Sequence, residues 1–554
     1  MIHRSSTAGT ALLAALLASG ALAACSQEDN LLQDAQRPTP PFATTNGASI
    51  DSPTNPPGDV GRVTIHRLNA SEYDNTVRDL LGDTSHPAAA FPPDDGVGSF
   101  TNNADALSIS PLLFEQYEAS AEKLATSAVA NPKIMVCNGV TGGDACATQI
   151  LTPFLKRAWR RPVTADEVSS LASLVKVAAQ EGQSFSQGIQ LAVKGALLSP
   201  NFLFRVEIDP DPAADTTHGL SDHELASRLS YFLWSSMPDD SLLASADSGK
   251  LSKDVTELDA QVTRMLADSK ARALLDNFAS QWLLHTLPNA KPDATAFPAF
   301  DEGLRSAMAE ETKSFVGSFL LGDQSLPDML DASFTYLNAR MAAHYGIPGV
   351  TGTDFVRVPV SAASHRGGLL AQAGILTMTA IPTRTSPVRR GEWVLSDLLC
   401  SPPPPPPPGI PPLPSTASTG TMRQKMEEHR KSPSCAGCHA QMDPIGFALE
   451  HYDPIGRWRD TDQGQAIDAT GQLDDGRKFD GAHDLAQVIK GDPRFAECAT
   501  QKVLSYALGR TPRETDDTRL SALTKGFADG QHRTKALIVS IIHNDAFRMR
   551  RGGT

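Results

Sequence analysis

The stretch that decides the fold class is residues 69–81, Asn-Ala-Ser-Glu-Tyr-Asp-Asn-Thr-Val-Arg-Asp-Leu-Leu. Asn69 followed by Glu72 three positions later forms a capping box, the pair that begins an α-helix. Tyr73 and Val77 then recur at helical spacing and predict one buried face. The folded part of the chain is therefore predicted to begin with an α-helix.

The same start signal recurs at Thr164 with Glu167 and at Ser221 with Glu224. Further helical periods cover residues 111–130, 186–198, 255–266, 271–284, 304–320, 338–345, 422–430, 482–489, 495–508, 518–527 and 534–542. Strand signals are few: residues 353–360, and a hairpin at 467–479 around Asp475-Gly476. Asp443-Pro-Ile-Gly446 and Asp453-Pro-Ile-Gly456 predict a repeated turn. The sequence thus predicts a mainly α fold with a short β-hairpin.

Cys435-Ala436-Gly437-Cys438-His439 is the motif with the most chemical content. Two thiols three residues apart followed by an imidazole are typical of covalent attachment of a c-type haem, with the histidine as proximal iron ligand. Half of a zinc site is the alternative, but zinc needs four ligands, and no second Cys-x-x-Cys or paired histidine cluster lies nearby in the sequence. The motif therefore predicts haem c held by Cys435, Cys438 and His439.

The first 25 residues favour export. His3 and Arg4 precede an Ala/Leu-rich run, and Leu22-Ala23-Ala24-Cys25 resembles a bacterial lipoprotein signal in which Cys25 becomes the lipidated first residue. Cleavage after Ala24 without lipid is the alternative. No later stretch reaches 18 apolar residues, so we expect the protein to be attached to the membrane through lipid only. The expected location is the periplasm or the outer membrane, and exposure at the cell surface is a further alternative.

Seven cysteines fit this compartment. Once the lipid and haem positions are assigned, Cys137, Cys146, Cys400 and Cys498 remain, and an oxidising compartment favours two disulfides. Three pairings exist. Cys137 and Cys146 are close in sequence, and Cys400 and Cys498 bracket the haem motif, so these two pairs are favoured over buried thiols.

Seven prolines, Pro402 to Pro408, mark a boundary. Such a run adopts polyproline II and predicts a rigid strap on its own domain, or else a partner-binding segment. The predicted organisation is signal peptide 1–24, flexible tether 25–60, helical domains 61–135, 136–212 and 213–350, a cytochrome-c-like domain 364–465 containing the strap and the haem motif, and a C-terminal helical domain 466–550.

Several motifs together resemble a known family. They are 67–69 (Arg-Leu-Asn), 76–82 (Thr-Val-Arg-Asp-Leu-Leu-Gly), 91–95 (Phe-Pro-Pro-Asp-Asp), 157–162 (Arg-Ala-Trp-Arg-Arg-Pro), 229–234 (Leu-Ser-Tyr-Phe-Leu-Trp), 365–369 (His-Arg-Gly-Gly-Leu), 382–387 (Pro-Thr-Arg-Thr-Ser-Pro), 443–450 (Asp-Pro-Ile-Gly-Phe-Ala-Leu-Glu) and 506–510 (Tyr-Ala-Leu-Gly-Arg). The chain resembles the planctomycete and myxobacterial type of secreted cytochrome-c-like protein built from consecutive domains of unknown function. The resemblance implies this architecture, secretion and the cytochrome label rather than a particular reaction.

The second axial position of the iron decides between electron transfer and catalysis. Met442 lies too close to His439 to reach the other haem face, and Met549 is almost at the C-terminus. The candidates that stay open are Met422, Met426, His429, His451, His483 or no ligand at all. For the N–H of the proximal imidazole, a carbonyl in the Asp443-Pro444 turn is the candidate acceptor.

Other polar groups give weaker signals. Arg384, Arg389 and Arg390 are candidates for pairing with haem propionates, but a solvated basic loop is the favoured interpretation. Glu310 and Glu311 point to different helix faces and form no paired-carboxylate site. We find no Gly-x-Ser-x-Gly, no His-Glu-x-x-His and no phosphate loop, so hydrolase, metalloprotease and nucleotide chemistries lack a signature.

The sequence therefore predicts a lipid-anchored envelope c-type cytochrome with one covalent haem, a helical platform and an electron-transfer role. Its net charge of −14 disfavours nucleic acid and favours a basic redox partner. One alternative is a haem peroxidase or oxidase acting on an extracellular substrate. Another is a polymer- or surface-binding protein with an auxiliary haem.

Overall fold

The computed structural model describes residues 60–61, 64–96, 100–138, 143–211, 213–405 and 420–552. The predicted signal peptide, Cys25 and all but the last residue of the tether lie outside these residues, as do prolines 406–408. The predictions made for them stay predictions.

The described chain is mainly α-helical, as the sequence predicts. Its α-helices are Ala70–Leu81, Pro111–Ala128, Gly143–Trp159, Ala165–Gln180, Phe185–Leu198, Pro200–Leu203, Asp222–Trp234, Asp240–Asp247, Val255–Ala267, Ser280–Leu283, Glu302–Leu320, Ala339–Tyr345, Ala373–Met378, Pro387–Trp393, Met422–His429, Pro433–Phe447, Gly481–Lys490, Pro493–Leu508, Asp517–Asp529, Thr534–His543 and Asp545–Arg548. Two π-helical segments, Leu274–Ala279 and Val394–Leu398, extend neighbouring helices.

Capping explains why the helices begin where they do. Asn69 accepts from the backbone N–H of Glu72, whose carboxylate accepts from the N–H of Asn69. The predicted boxes at Thr164 and Ser221 form in the same way. Because a box joins residues only three apart, these starts are fixed locally.

Strands occur as five antiparallel pairs in the described residues. They are His66–Arg67 with Phe204–Arg205, Thr217–Gly219 with Met549–Arg551, Phe334–Leu337 with Val356–Pro359, Thr461–Asp462 with Gln465–Ala466, and Thr470–Gln472 with Lys478–Asp480. The last pair is the predicted hairpin, and Val356–Pro359 lies inside the predicted strand 353–360.

Two large hydrophobic cores hold the described chain together. One joins the helices between Leu68 and Leu203 and receives Tyr231. The other begins with Phe100, runs from Leu220 to Phe547 and includes residues of the Pro433–Phe447 helix. That helix is therefore anchored in the larger core.

The C-terminal end of the described chain is joined to the middle of the chain. Met549–Arg551 pairs with Thr217–Gly219, and the Arg228 guanidinium donates to the carbonyls of Ala546, Phe547 and Met549. In the described part of the chain, no helix has the length and apolar character to cross a membrane.

Candidate functional site

The helix Pro433–Phe447, called the motif helix below, carries Cys435, Cys438 and His439. It crosses the helix Pro387–Trp393 at two glycines. A Cβ on Gly391 would collide with the Met442 carbonyl oxygen, and one on Gly446 would collide with the Pro387 carbonyl oxygen. Because both backbones need this close approach, the motif helix has one fixed position against its neighbour.

The predicted turn at Asp443-Pro444 is wrong. Pro444 lies inside the motif helix, which continues to Phe447. A proline in a helix loses one backbone hydrogen bond and crowds the preceding turn. The close packing of Gly446 on Pro387 lies just beyond it and keeps this end of the helix in place. Asp453-Pro454-Ile455-Gly456 does form a turn, with Gly456 in the left-handed region at φ 77°.

The motif thiols differ from the other described cysteines. Cys137 pairs with Cys146, and Cys400 pairs with Cys498, as the sequence predicts. Cys435 and Cys438 form no disulfide in the described structure. Cys435 is buried, whereas Cys438 is half-buried with Sγ 4.0 Å from the Pro404 carbonyl oxygen in the proline run. At three residues apart, the two thiols share one side of the helix.

His439 is oriented by a buried carboxylate. Its Nδ1 lies 2.9 Å from Asp443 Oδ1, and the Asp443 side chain is fully buried. The prediction that a backbone carbonyl accepts from the His439 ring is therefore wrong. In a continuous helix residue 443 lies one turn beyond residue 439, so the Asp443 side chain reaches the ring. A carboxylate only accepts hydrogen bonds, so Nδ1 donates in this bond, and in the neutral ring Nε2 is then the nitrogen with the lone pair.

Arg430 completes this arrangement. Its Nε lies 3.6 Å from Asp443 Oδ2, an oxygen that accepts no hydrogen bond in the described structure. The Arg430 guanidinium also lies 5.9 Å from the centre of the Phe447 ring. The carboxylate thus faces an imidazole on one oxygen and a guanidinium on the other.

A second imidazole contacts the first. The His429 ring, at the end of the helix Met422–His429, meets the His439 ring edge-to-face with centroids 4.9 Å apart. Burial lowers the pKa of His429, and the His439 ring lowers it further, against the opposing effect of the Asp443 carboxylate. This side chain was one of five candidates for the second axial position.

Of the other four candidates, three are packed in other contacts and one is exposed. Met422 and Met426 are buried against Phe447. His451 stacks on Trp458 at 4.5 Å, and its Nδ1 lies 2.9 Å from the Arg459 carbonyl oxygen. His483 is exposed on the helix Gly481–Lys490.

Of the three arginine candidates, Arg390 differs from both interpretations. It is fully buried, with Nη1 2.6 Å from the Leu449 carbonyl oxygen and 3.2 Å from Glu450 Oε1. Burial lowers its pKa to about 10, although Glu450 opposes the shift. Arg384 Nη1 donates to the Thr385 carbonyl and Arg389 Nη1 to the Ala380 carbonyl. Arg390 is therefore a structural residue and not part of a solvated loop.

Sequence reasoning missed Asp443 as the partner of His439 and Arg430 as the partner of Asp443. The available signal was an aspartate four residues after the histidine, a spacing that a helix brings onto one face. Across the described ranges, no group of three or more His, Cys, Asp or Glu side chains is arranged to hold a metal ion.

Comparison with known proteins gives five consecutive matches to family models, each described as a protein of unknown function. They are DUF1587 at residues 66–130, DUF1595 at 146–207, DUF1592 at 220–347, DUF1588 at 366–462 and DUF1585 at 475–547. The motif helix lies in the DUF1588 segment. No curated protein and no solved structure matches the chain.

Proposed function

We propose that this chain is a c-type cytochrome that transfers electrons. The chain belongs to the series of proteins built from five consecutive domains of unknown function, DUF1587, DUF1595, DUF1592, DUF1588 and DUF1585. A bound haem c supplies a reversible one-electron centre. The observation that most supports the haem part of this proposal is the bond from His439 Nδ1 to the buried Asp443 carboxylate.

The residues present fit such a group. Cys435 and Cys438 would hold it through their sulfurs, since these residues lie one helical turn apart and neither of them forms a disulfide. His439 would bind iron through Nε2, because Nδ1 is occupied by Asp443. A histidine ligand whose other nitrogen donates to a carboxylate has a fixed ring orientation and increased basicity.

The proposed attachment can be tested by haem retention. Thioether bonds survive denaturation, so haem should stay with the wild-type polypeptide after boiling in detergent, and Cys435→Ala with Cys438→Ala should abolish haem staining. The matched control, Cys137→Ala with Cys146→Ala, removes a disulfide and should keep the stain. A wild-type chain without retained haem, after expression with a c-type haem assembly system, would contradict the proposal.

Location and partner form a further part of the proposal. Lipid on Cys25 would tether the protein to the envelope, and a multiply acylated cysteine is sufficient for stable anchoring. The net charge of −14 favours a basic redox partner. Cys25→Ala should move the protein to the soluble fraction, and unchanged membrane association of this variant would contradict lipid anchoring.

A haem peroxidase or oxidase is the second candidate function. The carboxylate bonded to His439 favours it, because a more basic proximal ligand donates more electron density to the iron. Such an enzyme needs an open position on the iron for its oxidant. The two candidates therefore differ in whether a second side chain binds the iron.

A further inference from the structure

We infer that the chain binds a small aliphatic carboxylate in a cleft of its N-terminal half, at a site separate from the motif helix. The cleft has a volume of about 410 Å³, and small-molecule sites usually measure ~300–1,000 Å³. It lies where the DUF1587 segment meets the DUF1595 segment, and ligand sites are common at such domain boundaries.

Three segments form the walls of this cleft. They are the C-terminal end of the helix Ala70–Leu81, residues 131–136, and the middle of the helix Gly143–Trp159. The disulfide between Cys137 and Cys146 joins the second wall to the third. The relative position of these two walls is therefore fixed by a covalent bond.

The floor of the cleft is apolar. Its side chains are Leu80, Leu81, Ile134, Val136, Ile150 and Phe154. Val136 is 52 % exposed, which few large apolar side chains are in the described structure. Because apolar surface in contact with water is unfavourable, an alkyl chain that covers this floor gains free energy on binding.

The rim of the cleft is basic, although the whole chain has a net charge of −14. Arg78, Lys133 and Arg157 line it, against one carboxylate, that of Asp79, among the described lining residues. The Asp79 carboxylate already pairs with Arg78 and, from outside the cleft, with Lys270. The rim therefore attracts an anion to an otherwise acidic protein.

Arg157 supplies a donor without an acceptor. Its Nη1 lies 3.1 Å from Asp240 Oδ1, and its Nη2 donates to the Asp79 carbonyl oxygen. Its Nε is buried and has no hydrogen-bond partner in the described structure. Arg78 bonds to the side chain of the same Asp79, so both guanidiniums lie at one end of the cleft. A ligand carboxylate bound at this end supplies the acceptor that Nε lacks.

The floor and the rim together select the class of ligand. A sugar phosphate or a nucleotide would leave the apolar floor without an apolar partner. An uncharged hydrocarbon would leave Arg157 Nε without an acceptor. A single alkyl chain that ends in one carboxylate satisfies both parts of the cleft.

Calorimetric titration of the full chain with sodium decanoate tests this inference. Wild-type protein should bind decanoate saturably at one site. Acetate keeps only the head group and decanol keeps only the chain, so each should bind about tenfold more weakly or less.

Two exposed positions of the cleft allow variants that leave the core intact. Val136→Glu should weaken decanoate binding about tenfold, because it places a charge against the alkyl chain. Val255→Glu is the matched control, since Val255 is 53 % exposed and lies outside the cleft. Lys133→Glu should weaken binding about fivefold, whereas Lys253→Glu makes the same charge change at an exposed lysine outside the cleft and should have no effect.

Three outcomes would overturn the inference. They are the absence of saturable decanoate binding to wild-type protein, equal weakening by the cleft variants and their controls, and Val136-dependent binding to anionic phospholipid vesicles without binding of decanoate. The last result would assign the cleft to a membrane surface instead. The titration does not depend on haem, so its failure leaves the proposed function unaffected.

Discussion

The region around Glu450 and the region around Asp443 both bury a carboxylate, but they give it different partners. Glu450 lies 3.2 Å from Arg390 and 3.0 Å from Arg459, and its Oε2 accepts from the Thr385 hydroxyl. Asp443 has one short bond, to His439, and one distant guanidinium. The two arginines pair with both oxygens of Glu450, so this buried carboxylate stabilises the packing around it. The carboxylate of Asp443 instead orients the ring of His439, the residue that would bind the iron of the proposed haem.

Glu311 adds a third way to satisfy a buried carboxylate. Its oxygens accept from the hydroxyls of Thr335 and Tyr345, at 2.7 and 2.6 Å. Burial raises its pKa to about 7, and these two hydroxyls only partly oppose the shift. The comparison teaches that burial alone does not mark a functional carboxylate, since its partners decide whether its role is packing or positioning a reactive group.

The largest expected effect comes from breaking the Glu450 network. Glu450→Gln leaves the fully buried Arg390 without its carboxylate, and removing one partner of a buried ion pair costs about 3–5 kcal/mol of unfolding free energy. Glu427→Gln is the matched control on an exposed ion pair and should change stability by about 0–1 kcal/mol. Denaturant unfolding measures both. Equal, small losses would mean that Glu450 does not stabilise this region.

Glu311 should give the chain a stability term with a defined pH dependence. Because its pKa of about 7 exceeds the ordinary 4.5, the folded state holds this proton more tightly than the unfolded state. The contribution of Glu311 to the free energy of unfolding is fully present below pH 4.5. As the pH rises from 4.5 through 7, this contribution is lost, and the free energy of unfolding falls by about 3 kcal/mol.

Glu311→Gln should remove this slope from the pH profile of the unfolding free energy. The adjacent Glu310 is the control: burial raises its pKa, but Arg272 and Lys313 outweigh burial and lower it overall. Glu310→Gln should therefore keep the fall between pH 4.5 and 7. A wild-type profile that rises over this window and is unchanged by Glu311→Gln would be inconsistent with a protonated, buried Glu311.

Two glycines of the motif helix should respond differently to the same change. A Cβ at Gly446 meets the Pro387 backbone, and such overpacking costs about 1–3 kcal/mol. At Gly437, between the two thiols, a Cβ meets nothing within 4 Å in the described structure, so Gly437→Ala should be neutral or stabilising by up to about 1 kcal/mol. Thermal unfolding of the two variants measures the difference. Similar melting temperatures would contradict the close crossing that positions the motif.

Much of the helical structure was predictable because its signals are local. The capping boxes at Asn69, Thr164 and Ser221 join residues three apart, and the three helices begin as predicted. The strand Phe334–Leu337 was missed because its partner, Val356–Pro359, lies beyond a helix. Pairing over that distance depends on tertiary packing and leaves little trace in the strand's own residues.

The candidate site was predictable in part for the same reason. Cys435, Cys438 and His439 follow from a five-residue pattern, but the role of Asp443 depends on the helix continuing through Pro444. Local propensity predicts a turn there, whereas the packing of Gly446 on Pro387 holds that end of the helix. The contact between the His429 and His439 rings likewise depends on how the helix Met422–His429 packs, which no spacing in the sequence specifies.

The most direct test of the central claim is a mass measurement on one peptide. Trypsin cleaves after Lys431 and Arg457, and the peptide between them contains Cys435, Cys438 and His439 and no other cysteine. From protein matured with a c-type haem assembly system, then reduced and alkylated, this peptide should carry the mass of one haem and no alkyl groups. The same peptide with two alkylated cysteines and no haem would contradict the account.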